Sequence, residues 1–500
     1  MAMTRTSNRR RGRGGNTVHP SLRVIAALCL AAPAAVAGDE EREKPGQRLN
    51  FGALELGLTL DAGLGLFGVT NAQNGLGSLS SHGMRQGGRH WAEGYVTPGL
   101  EAAYQLNDGT LYGAARATAS ATRGNGEAQR NSVTDMRPES LSLSEAYLGW
   151  TSGQAFAALG EDAVDVSAGR QGFVVGDGFL IADGTLDSFR RNNHVIGPRA
   201  AFDRTAILRL NTAPVRADLF RLESNTDQQY MRGRDGAATT LQGANVEWFA
   251  SNEKDQGRSE YEARQWYLGL TALHITDADE AISATRDGMN VTAIRSGGAL
   301  LSSLGEGWQD AALHSEFARQ RNDTAGRQLR AEAWYVEPQY TFSALPWQPR
   351  LSYRYMHFSG DGDTGDSIGR GWDPLFTAGG PRGYGSWDLG EIYARYVGSN
   401  SNLNSHMVHL KLQPDDALSL GAIFYRHSYD KPDTANGVTS DRLQDEFNVY
   451  AVWATPLPGL EIATVLGAAR AGRGLRQSLG TTDATDRTTW LGQMVFSYSY

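Results

Sequence analysis

The chain has 500 residues, of which 60 are glycines, and its 47 basic against 55 acidic residues give a formal net charge of −8. This acidic balance argues against a role in which the chain as a whole binds nucleic acid or an anionic surface. The single cysteine excludes an intramolecular disulfide. Beyond residue 37, no apolar stretch approaches the roughly 18 residues that a transmembrane helix needs.

Residues 1–37 have the organisation of a secretory signal peptide. They carry six arginines and no acid, followed by the apolar run 24–36 with the triplet AVA at 35–37. A basic region, a short apolar region and an A-x-A site predict export with cleavage after Ala37. The alternative, a buried N-terminal helix, would not explain the arginines. Cleavage removes Cys29 and leaves 41 basic against 55 acidic residues, a net charge of −14.

Segments that alternate between apolar and polar side chains recur along the rest of the chain. In residues 54–66, six leucines share one parity, while Glu55, Thr59 and Asp61 take the other. Strands of water-soluble proteins usually have about five or six residues, whereas longer alternating strands separated by turns and polar loops are typical of transmembrane β-barrels. The same alternation occurs in residues 96–111, 351–358, 390–397, 406–412 and 446–453.

The last segment alternates up to the final residue of the sequence. Its apolar parity consists of Met494, Phe496, Tyr498 and Tyr500. Free termini are usually frayed and polar, so an aromatic strand at this position favours a barrel whose last strand pairs with its first. In outer-membrane barrels, such a strand also resembles the signal read by the insertion machinery. The alternative, a soluble all-β secreted protein, would not need this aromatic end.

The predicted fold is an all-β, single-domain, antiparallel transmembrane β-barrel over residues 51–500, preceded by a short periplasmic segment, residues 38–50. About 18 or 19 segments alternate, the least clear being 289–301, and bacterial barrels have even strand numbers. We therefore predict 18 strands, with 16 as the second choice. A barrel of this width encloses an aqueous channel, and its expected location is the cell outer membrane.

Several segments carry a resemblance to a known family. They are AGRQGFVVGDGFLIADGTLDSFRR (168–191), PRLSYRYMHFSGD (349–361), WDPLF (372–376), RGYGSWDLGEI (382–392) and LQDEFNVYAVWATPLPGLEIATVLGAARAG (443–472). Together they resemble the alginate-export family of outer-membrane proteins. The resemblance implies a monomeric barrel that passes an anionic uronate polysaccharide, such as alginate, outward through an arginine-lined pore. It also implies periplasmic export proteins as partners, but it does not specify which acidic polymer passes.

Inward-facing basic residues are the candidate pore lining, because a guanidinium matches the geometry of a carboxylate and loses its hydration more easily than an ammonium. The candidate anion-selective residues are Arg170, Arg190, Arg191, Arg209, Arg354, Arg395 and Lys411. Alternation places four of them inside the barrel, namely Arg209, Arg354, Arg395 and Lys411. Arg170 lies in the Gly-Arg-Gln segment that ends a predicted strand. Arg190 and Arg191 follow a reversal at which a loop is able to enter the lumen. The alternative role is salt bridging across strands, with Glu145, Glu391 and Glu446 as partners.

Other constellations are weaker. His406 and His409 should lie on opposite strand faces and cannot share a metal. The acidic loop 360–366 lacks the bidentate glutamate of a calcium loop. Trp372, Tyr384 and Trp387 are candidates for a membrane girdle or loop packing, or for a sugar-stacking surface. No metal, cofactor or catalytic residue is predicted.

Three functions compete. The leading one is a passive export channel for an anionic exopolysaccharide. The second is a general or uptake porin for small anionic solutes, and the third is a membrane-embedded hydrolase, for which no nucleophile and base stand out. An exporter should have a concentrated positive constriction and a movable lid, whereas a porin should have a milder field. The sequence predicts that the chain is not an enzyme.

Overall fold

The computed structural model describes residues 47–75, 78–80, 83–85, 87–124, 139–182, 184, 193, 195–197, 201–224, 238–250, 266–278, 285–299, 304–305, 307–323, 326–377, 389–480 and 486–500. The predicted signal peptide and most of the predicted periplasmic segment lie outside these residues, as do Arg190, Arg191, Tyr384 and Trp387.

Eighteen long strands form the wall of the molecule. The first nine are β1 (Leu54–Thr70), β2 (Arg89–Leu106), β3 (Gly109–Gly124), β4 (Glu139–Thr151), β5 (Val164–Gly172), β6 (Ala201–Asn211), β7 (Val215–Glu223), β8 (Thr239–Phe249) and β9 (Tyr267–Ala278). The others are β10 (Asn290–Gly297), β11 (Ala311–Asn322), β12 (Gln328–Thr341), β13 (Arg350–Phe358), β14 (Leu403–Asp415), β15 (Leu418–Tyr429), β16 (Arg442–Ala454), β17 (Leu460–Ala471) and β18 (Thr489–Ser499). Each strand pairs antiparallel with the next, so the prediction of 18 strands rather than 16 is confirmed.

The last strand closes the barrel on the first. The register of β18 against β1 runs from Asp61 opposite Ser499 to Thr70 opposite Trp490. Leu60 and Tyr500 exchange two backbone hydrogen bonds of 2.9 Å, and the Ser499 hydroxyl donates to Asp61 Oδ1 over 2.7 Å. The aromatic end of the sequence is therefore the closing strand that its alternation predicted.

Alternation along the strands separates an apolar outer face from a buried inner face. In β18, Gln493 and Val495 are buried, whereas Trp490 and Met494 are exposed. Leu141 on β4 is 80% exposed, which would be unfavourable in water. Such a continuous apolar outer face is the one that a barrel presents to lipid.

The prediction of a strand over residues 390–397 is wrong. This segment forms a π-helical turn over Tyr393–Val397. Ile392, Tyr393 and Tyr396 are all buried although they do not share a strand parity, because a helical turn brings residues three and four apart onto one side. The least clear segment, 289–301, does contain a strand, β10.

The other elements are short. A strand Gln47–Phe51 pairs with the start of β1, Ser78–Ser80 pairs with Gly83–Arg85, and Ile368–Gly369 lies parallel to β12. On the described parts of the chain, the helical elements besides the π-turn are Ala72–Gly75, Thr434–Asn436 and Arg473–Leu479. Among the described residues, no helix is long and apolar enough to cross a bilayer.

The described parts of two long connections fold into the barrel. We call residues 173–182, 184, 193 and 195–197 inner loop A and residues 359–377 and 389–402 inner loop B. The two loops meet where Ala182 donates its N–H to Phe376 O (2.8 Å) and Phe376 donates to Leu180 O (3.2 Å). Phe179 and Trp372 belong to an apolar core, which fills the lumen towards the long-loop end of the strands. Most connections at the opposite end are short, such as residues 107–108 and 416–417, and this is the usual periplasmic side of such barrels.

Candidate functional site

The lumen wall carries a polar network that crosses neighbouring strands. Asp165 on β5 accepts a hydrogen bond from the Tyr112 hydroxyl (2.6 Å) and one from Arg209 Nη1 (3.4 Å). Nε of Arg209 also lies 3.7 Å from Asp218 Oδ1 on β7. Asn245 on β8 donates to the other oxygen of Asp218 over 3.0 Å. Arg209 is thus on the lumen side with a carboxylate on each side of it.

The network continues to Arg295 on β10, which is only 1% exposed. Its Nη2 donates to Glu247 Oε1 over 2.6 Å and also to Asn245, and its Nη1 donates to Thr271 over 2.7 Å. Inner loop A lies directly on this guanidinium. Gly176 there has φ +56°, and a Cβ at that position would come within 2.6 Å of Arg295 Nε. Close approach of the loop therefore depends on glycine.

Arg354 on β13 lies in the lumen wall and is 0% exposed. Its Nη1 is 3.7 Å from Glu337 Oε2 on β12, and its Nη2 is 3.1 Å from the sulfur of Met407. Burial of both charges makes this pair inaccessible to a solute while the inner loops occupy the lumen.

The other predicted basic residues on described parts of the chain are Arg170, Arg395 and Lys411. Arg170 shares its strand parity with the exposed Val166 and Ala168, lies beside a register shift, and pairs with Asp203. Arg395 lies in inner loop B and pairs with Glu391 through Nε and Oε2 at 2.6 Å.

Lys411 lies on β14, in register with Arg350 on β13. It shares the parity of the buried Met407 and His409, whereas Val408 and Leu410 of the opposite parity are exposed. Lys411 therefore points to the lumen near the short-turn end of the barrel.

Sequence reasoning missed Arg116 and Arg295. Arg116 on β3 lies 3.4 Å from Glu145, measured from Nε to Oε2, and 3.5 Å from Asp61, measured from Nη1 to Oδ2. Glu145 is therefore an arginine partner. Both arginines interrupt runs of small and apolar residues, at GAARATA and TAIRSGG, and this interruption was the signal available for an inward charge.

Glu446 has a different role from the expected arginine partner. It lies on β16 and accepts the N–H groups of two consecutive residues in inner loop B, Ile392 and Tyr393, each over 2.8 Å. Asn448 and Gln444 also donate to it, each over 2.9 Å. A wall carboxylate thus anchors inner loop B by its backbone.

Glu93 on β2 anchors inner loop A in the same manner. Its Oε2 accepts the N–H groups of Val195 (2.9 Å) and Ile196 (3.0 Å), while Trp91 Nε1 donates to its Oε1 (2.8 Å). Asn193 of the same loop donates to Gly94 O over 3.0 Å. Each of these two carboxylates accepts two consecutive backbone N–H groups, so both are polar anchors of the loops inside the barrel, beside the Tyr335 hydroxyl on Asp177 (2.6 Å) and the buried ion pair of Arg286 with Asp373.

Comparison with known proteins assigns the barrel to a family. A family model described as alginate export matches residues 81–449. The chain belongs to the alginate export family. Family and fold are those of channels and porins. No curated protein matches the chain.

Solved porin structures share the barrel. The chain is similar to OccK5 (OpdH) of Pseudomonas aeruginosa, with 11% identity over 88% of this chain and 97% of that one and a TM-score of 0.53. It is also similar to OpdQ of Pseudomonas aeruginosa, with 11% identity over 89% and 98% of the two chains and a TM-score of 0.51. At such identities, the similarity of this alginate export family member to these porins is one of fold.

The acidic loop 360–366 of this family member is held by arginines. Asp366 accepts from Arg370 Nη1 (2.8 Å), from the Ile368 N–H (2.8 Å) and from Arg327 Nη2 (3.1 Å). The hydrogen bond from Arg370, then that from the Ile368 N–H and that from Arg327, hold the pKa of the Asp366 carboxyl below its usual value of 3.8. A lowered pKa means that the ionised form is favoured in the folded loop.

We expect this loop to loosen at acid pH. The stabilisation is complete above the usual carboxyl pKa and is lost as the pH falls through the lowered pKa of folded Asp366. A spin label on Ser367→Cys should therefore become mobile only in that acid range, whereas in an added Asp366→Asn variant it should already be mobile at neutral pH. Asp363→Asn is the control, because Asp363 Oδ1 accepts only the Gly365 N–H (3.0 Å). Equal mobility in the two variants would contradict the role of Asp366.

The structure also locates the histidines and the tryptophan that the sequence analysis considered. His406 is exposed and His409 buried, on opposite faces of β14. Trp372 is buried in the lumen core, so it packs a loop and is neither a girdle nor an exposed sugar platform. Among the described residues, no group of three or more His, Cys, Asp or Glu could hold a metal ion.

Proposed function

We propose that this protein is an outer-membrane channel for passive export of an anionic exopolysaccharide, with the arginines of the lumen wall as its transient binding groups. Membership of the alginate export family supports this proposal. The proposal includes an N-terminal signal peptide, a monomeric barrel, periplasmic proteins that deliver the polymer, and no enzymatic step.

The observation that carries the proposal is the pairing of lumen arginines with carboxylates on adjacent strands, as for Arg209 between Asp165 and Asp218. A polyuronate carboxylate is chemically equivalent to these partners. It can replace one of them at a guanidinium and then return the guanidinium to the wall as the polymer advances. Exchange of similar partners keeps binding weak enough for movement, whereas a row of unpaired arginines would retain the polyanion.

Passage requires the inner loops to move, because they fill the lumen towards the long-loop end. Glu93 and Glu446 hold them by backbone hydrogen bonds that can break without unfolding a strand. We therefore assign the closed state of the channel to the arrangement observed.

A second candidate function is uptake of small anionic solutes. It is favoured by the same charge pairing, since carboxylates next to each arginine weaken the positive field that a polymer exporter should concentrate. The two functions differ in the length of the ligand that enters the lumen.

The test is a planar-bilayer recording of the mature protein with uronate oligomers of increasing length. The polymer channel predicts anion selectivity and a block that strengthens with oligomer length and weakens in Arg209→Gln and Arg354→Ala. Neutral oligosaccharides of equal length control for steric block, and Arg426→Gln on the outer face controls for substitution. A block by single uronates that does not grow with length would favour the small-solute porin. An unselective pore that ignores uronates would contradict both.

A further inference from the structure

A groove opens on the lipid-facing side of strands β9–β12. Ser296 and Ser315 are opposite one another in register, and they lie between Leu268 on β9 and Val336 on β12. The next row of the same face contains Ile294, Phe317 and Trp334. Small side chains between large ones leave a groove of about 370 Å³. We call this depression the wall groove.

Three arginines lie on the same face above the wall groove, towards the long-loop end. Arg319, Arg321 and Arg330 form what we call the rim cluster. Arg319 is 53% exposed and lies 4.0 Å from Glu332, measured from Nε to Oε2. Its guanidinium carbon lies 5.0 Å from the ring centre of Phe317. The cluster therefore begins directly above the aromatic row that edges the groove.

Arg321 and Arg330 are directly opposite one another on β11 and β12. Like charges in this position destabilise a sheet. Arg330 pairs with Asp323, whereas Arg321 has neither an ion-pair nor a hydrogen-bond partner among the described residues. An anion between the two guanidinium groups would remove the repulsion, and a phosphate accepts hydrogen bonds from both.

The vertical spacing fits one lipid molecule. Arg321 is six residues beyond Ser315 on β11, which is about 20 Å along a strand. With strands tilted by about 35–45°, the height is about 15 Å, and this equals one leaflet of a hydrocarbon core about 30 Å thick. A headgroup at the rim cluster therefore has its acyl chain beside the wall groove.

We propose that the wall groove and the rim cluster bind a phosphorylated glycolipid of the outer leaflet. One acyl chain occupies the wall groove, and a headgroup phosphate bridges Arg321 and Arg330. The proposal rests on the barrel lying in an outer membrane and is independent of what passes through the lumen.

The probe is lipid A, compared with its dephosphorylated form, and the readout is native mass spectrometry of the full barrel released from detergent. Wild-type protein should bind lipid A about tenfold more tightly than dephosphorylated lipid A, because the charge-assisted hydrogen bonds to the phosphate cannot form when the phosphate is absent. The double variant Arg321→Gln/Arg330→Gln should bind both lipids equally and at the lower affinity. Without lipid, the single variant Arg321→Gln should be at least as stable to heat as wild type, since it removes the like-charge pair and leaves the Arg330–Asp323 ion pair intact.

Two further variants separate the parts of the site. Ser315→Phe fills the wall groove and should weaken binding of both lipids. Arg426→Gln is the matched control, because Arg426 lies above Phe424 on the outer face of β15 but is already paired with Asp445 through Nε and Oδ1 at 2.9 Å. Equal binding of both lipids by wild type, or an equal loss in Arg426→Gln, would overturn the proposal. A barrel dimer or trimer that excludes lipid from the groove would also overturn it.

Discussion

Replacement of both Glu93 and Glu446 by alanine is expected to raise the open-to-closed ratio of the channel at least tenfold by releasing the inner loops. Each carboxylate accepts two consecutive backbone N–H groups, those of Val195 and Ile196 or those of Ile392 and Tyr393. A buried donor left without a partner costs about 1–3 kcal/mol. In the closed state, four such donors lose their acceptor, whereas in the open state they reach water. Since about 1.4 kcal/mol is a tenfold change in an equilibrium constant, the open-to-closed ratio should rise by at least that factor.

The measurement is the open probability in single-channel recordings from planar bilayers, with each single variant expected to release one loop and to give an intermediate value. Glu223→Ala is the control, because it removes an outer ion pair to Arg204 and leaves both loops anchored. If the double variant opens no more often than wild type, the two carboxylates do not hold the loops, and the apolar contacts of Phe179 and Trp372 and the buried ion pair of Arg286 with Asp373 do.

The strand pattern was predictable because lipid and lumen impose opposite demands on successive residues. In β18, the exposed Trp490 and Met494 and the buried Gln493 and Val495 follow strict alternation. The closure of β18 on β1 also followed from residues, since an aromatic strand at the end of the chain requires a partner. These constraints act within a single segment and need no knowledge of distant contacts.

The π-turn at Tyr393–Val397 was not predictable in this way. Residues 390–397 of inner loop B alternate as a strand does, but Ile392, Tyr393 and Tyr396 are all buried among protein. Ile392 and Tyr396 pack with Phe67 and Leu491 of the wall, and this packing exists only after the loop has entered the lumen. Burial inside the barrel therefore decided the structure of this segment. The alternation of apolar and polar residues did not, because it occurs both in barrel strands and in loops that enter the lumen.

The sequence predicted which candidate residues face the lumen, but it did not predict which residues they pair with. The sequence assigned Arg354 to the lumen side, where it is buried, but its partner Glu337 depends on the register between β12 and β13. Glu446 was assigned as an arginine partner, whereas, besides the amides of Gln444 and Asn448, it accepts backbone N–H groups more than fifty residues earlier in the chain. Such long-range pairings are set by how the loops return, and a single sequence contains no local signal for them.

Replacement of Arg295 by methionine is expected to lower the free energy of unfolding by about 3–5 kcal/mol, because removal of one partner leaves a buried charge without compensation. Arg295 and its partner Glu247 are 1% and 2% exposed, and Glu316, also buried, is directly opposite Arg295 on β11. Methionine fills a similar volume but donates nothing to Glu247, Asn245 or Thr271. The loss should therefore be electrostatic, with little contribution from a cavity.

The measurement is denaturant unfolding of the refolded barrel in lipid vesicles, followed by tryptophan fluorescence. The double variant Arg295→Met/Glu247→Leu should recover part of the loss, since an apolar pair often replaces a buried ion pair at little cost. Arg426→Met is the control for loss of an exposed ion pair, for which about 0–1 kcal/mol is expected. If Arg295→Met unfolds at the same denaturant concentration as wild type, the carboxylates around position 295 do not need its charge. In that case the network along β5–β10 contributes to the lumen surface and not to the stability of the barrel.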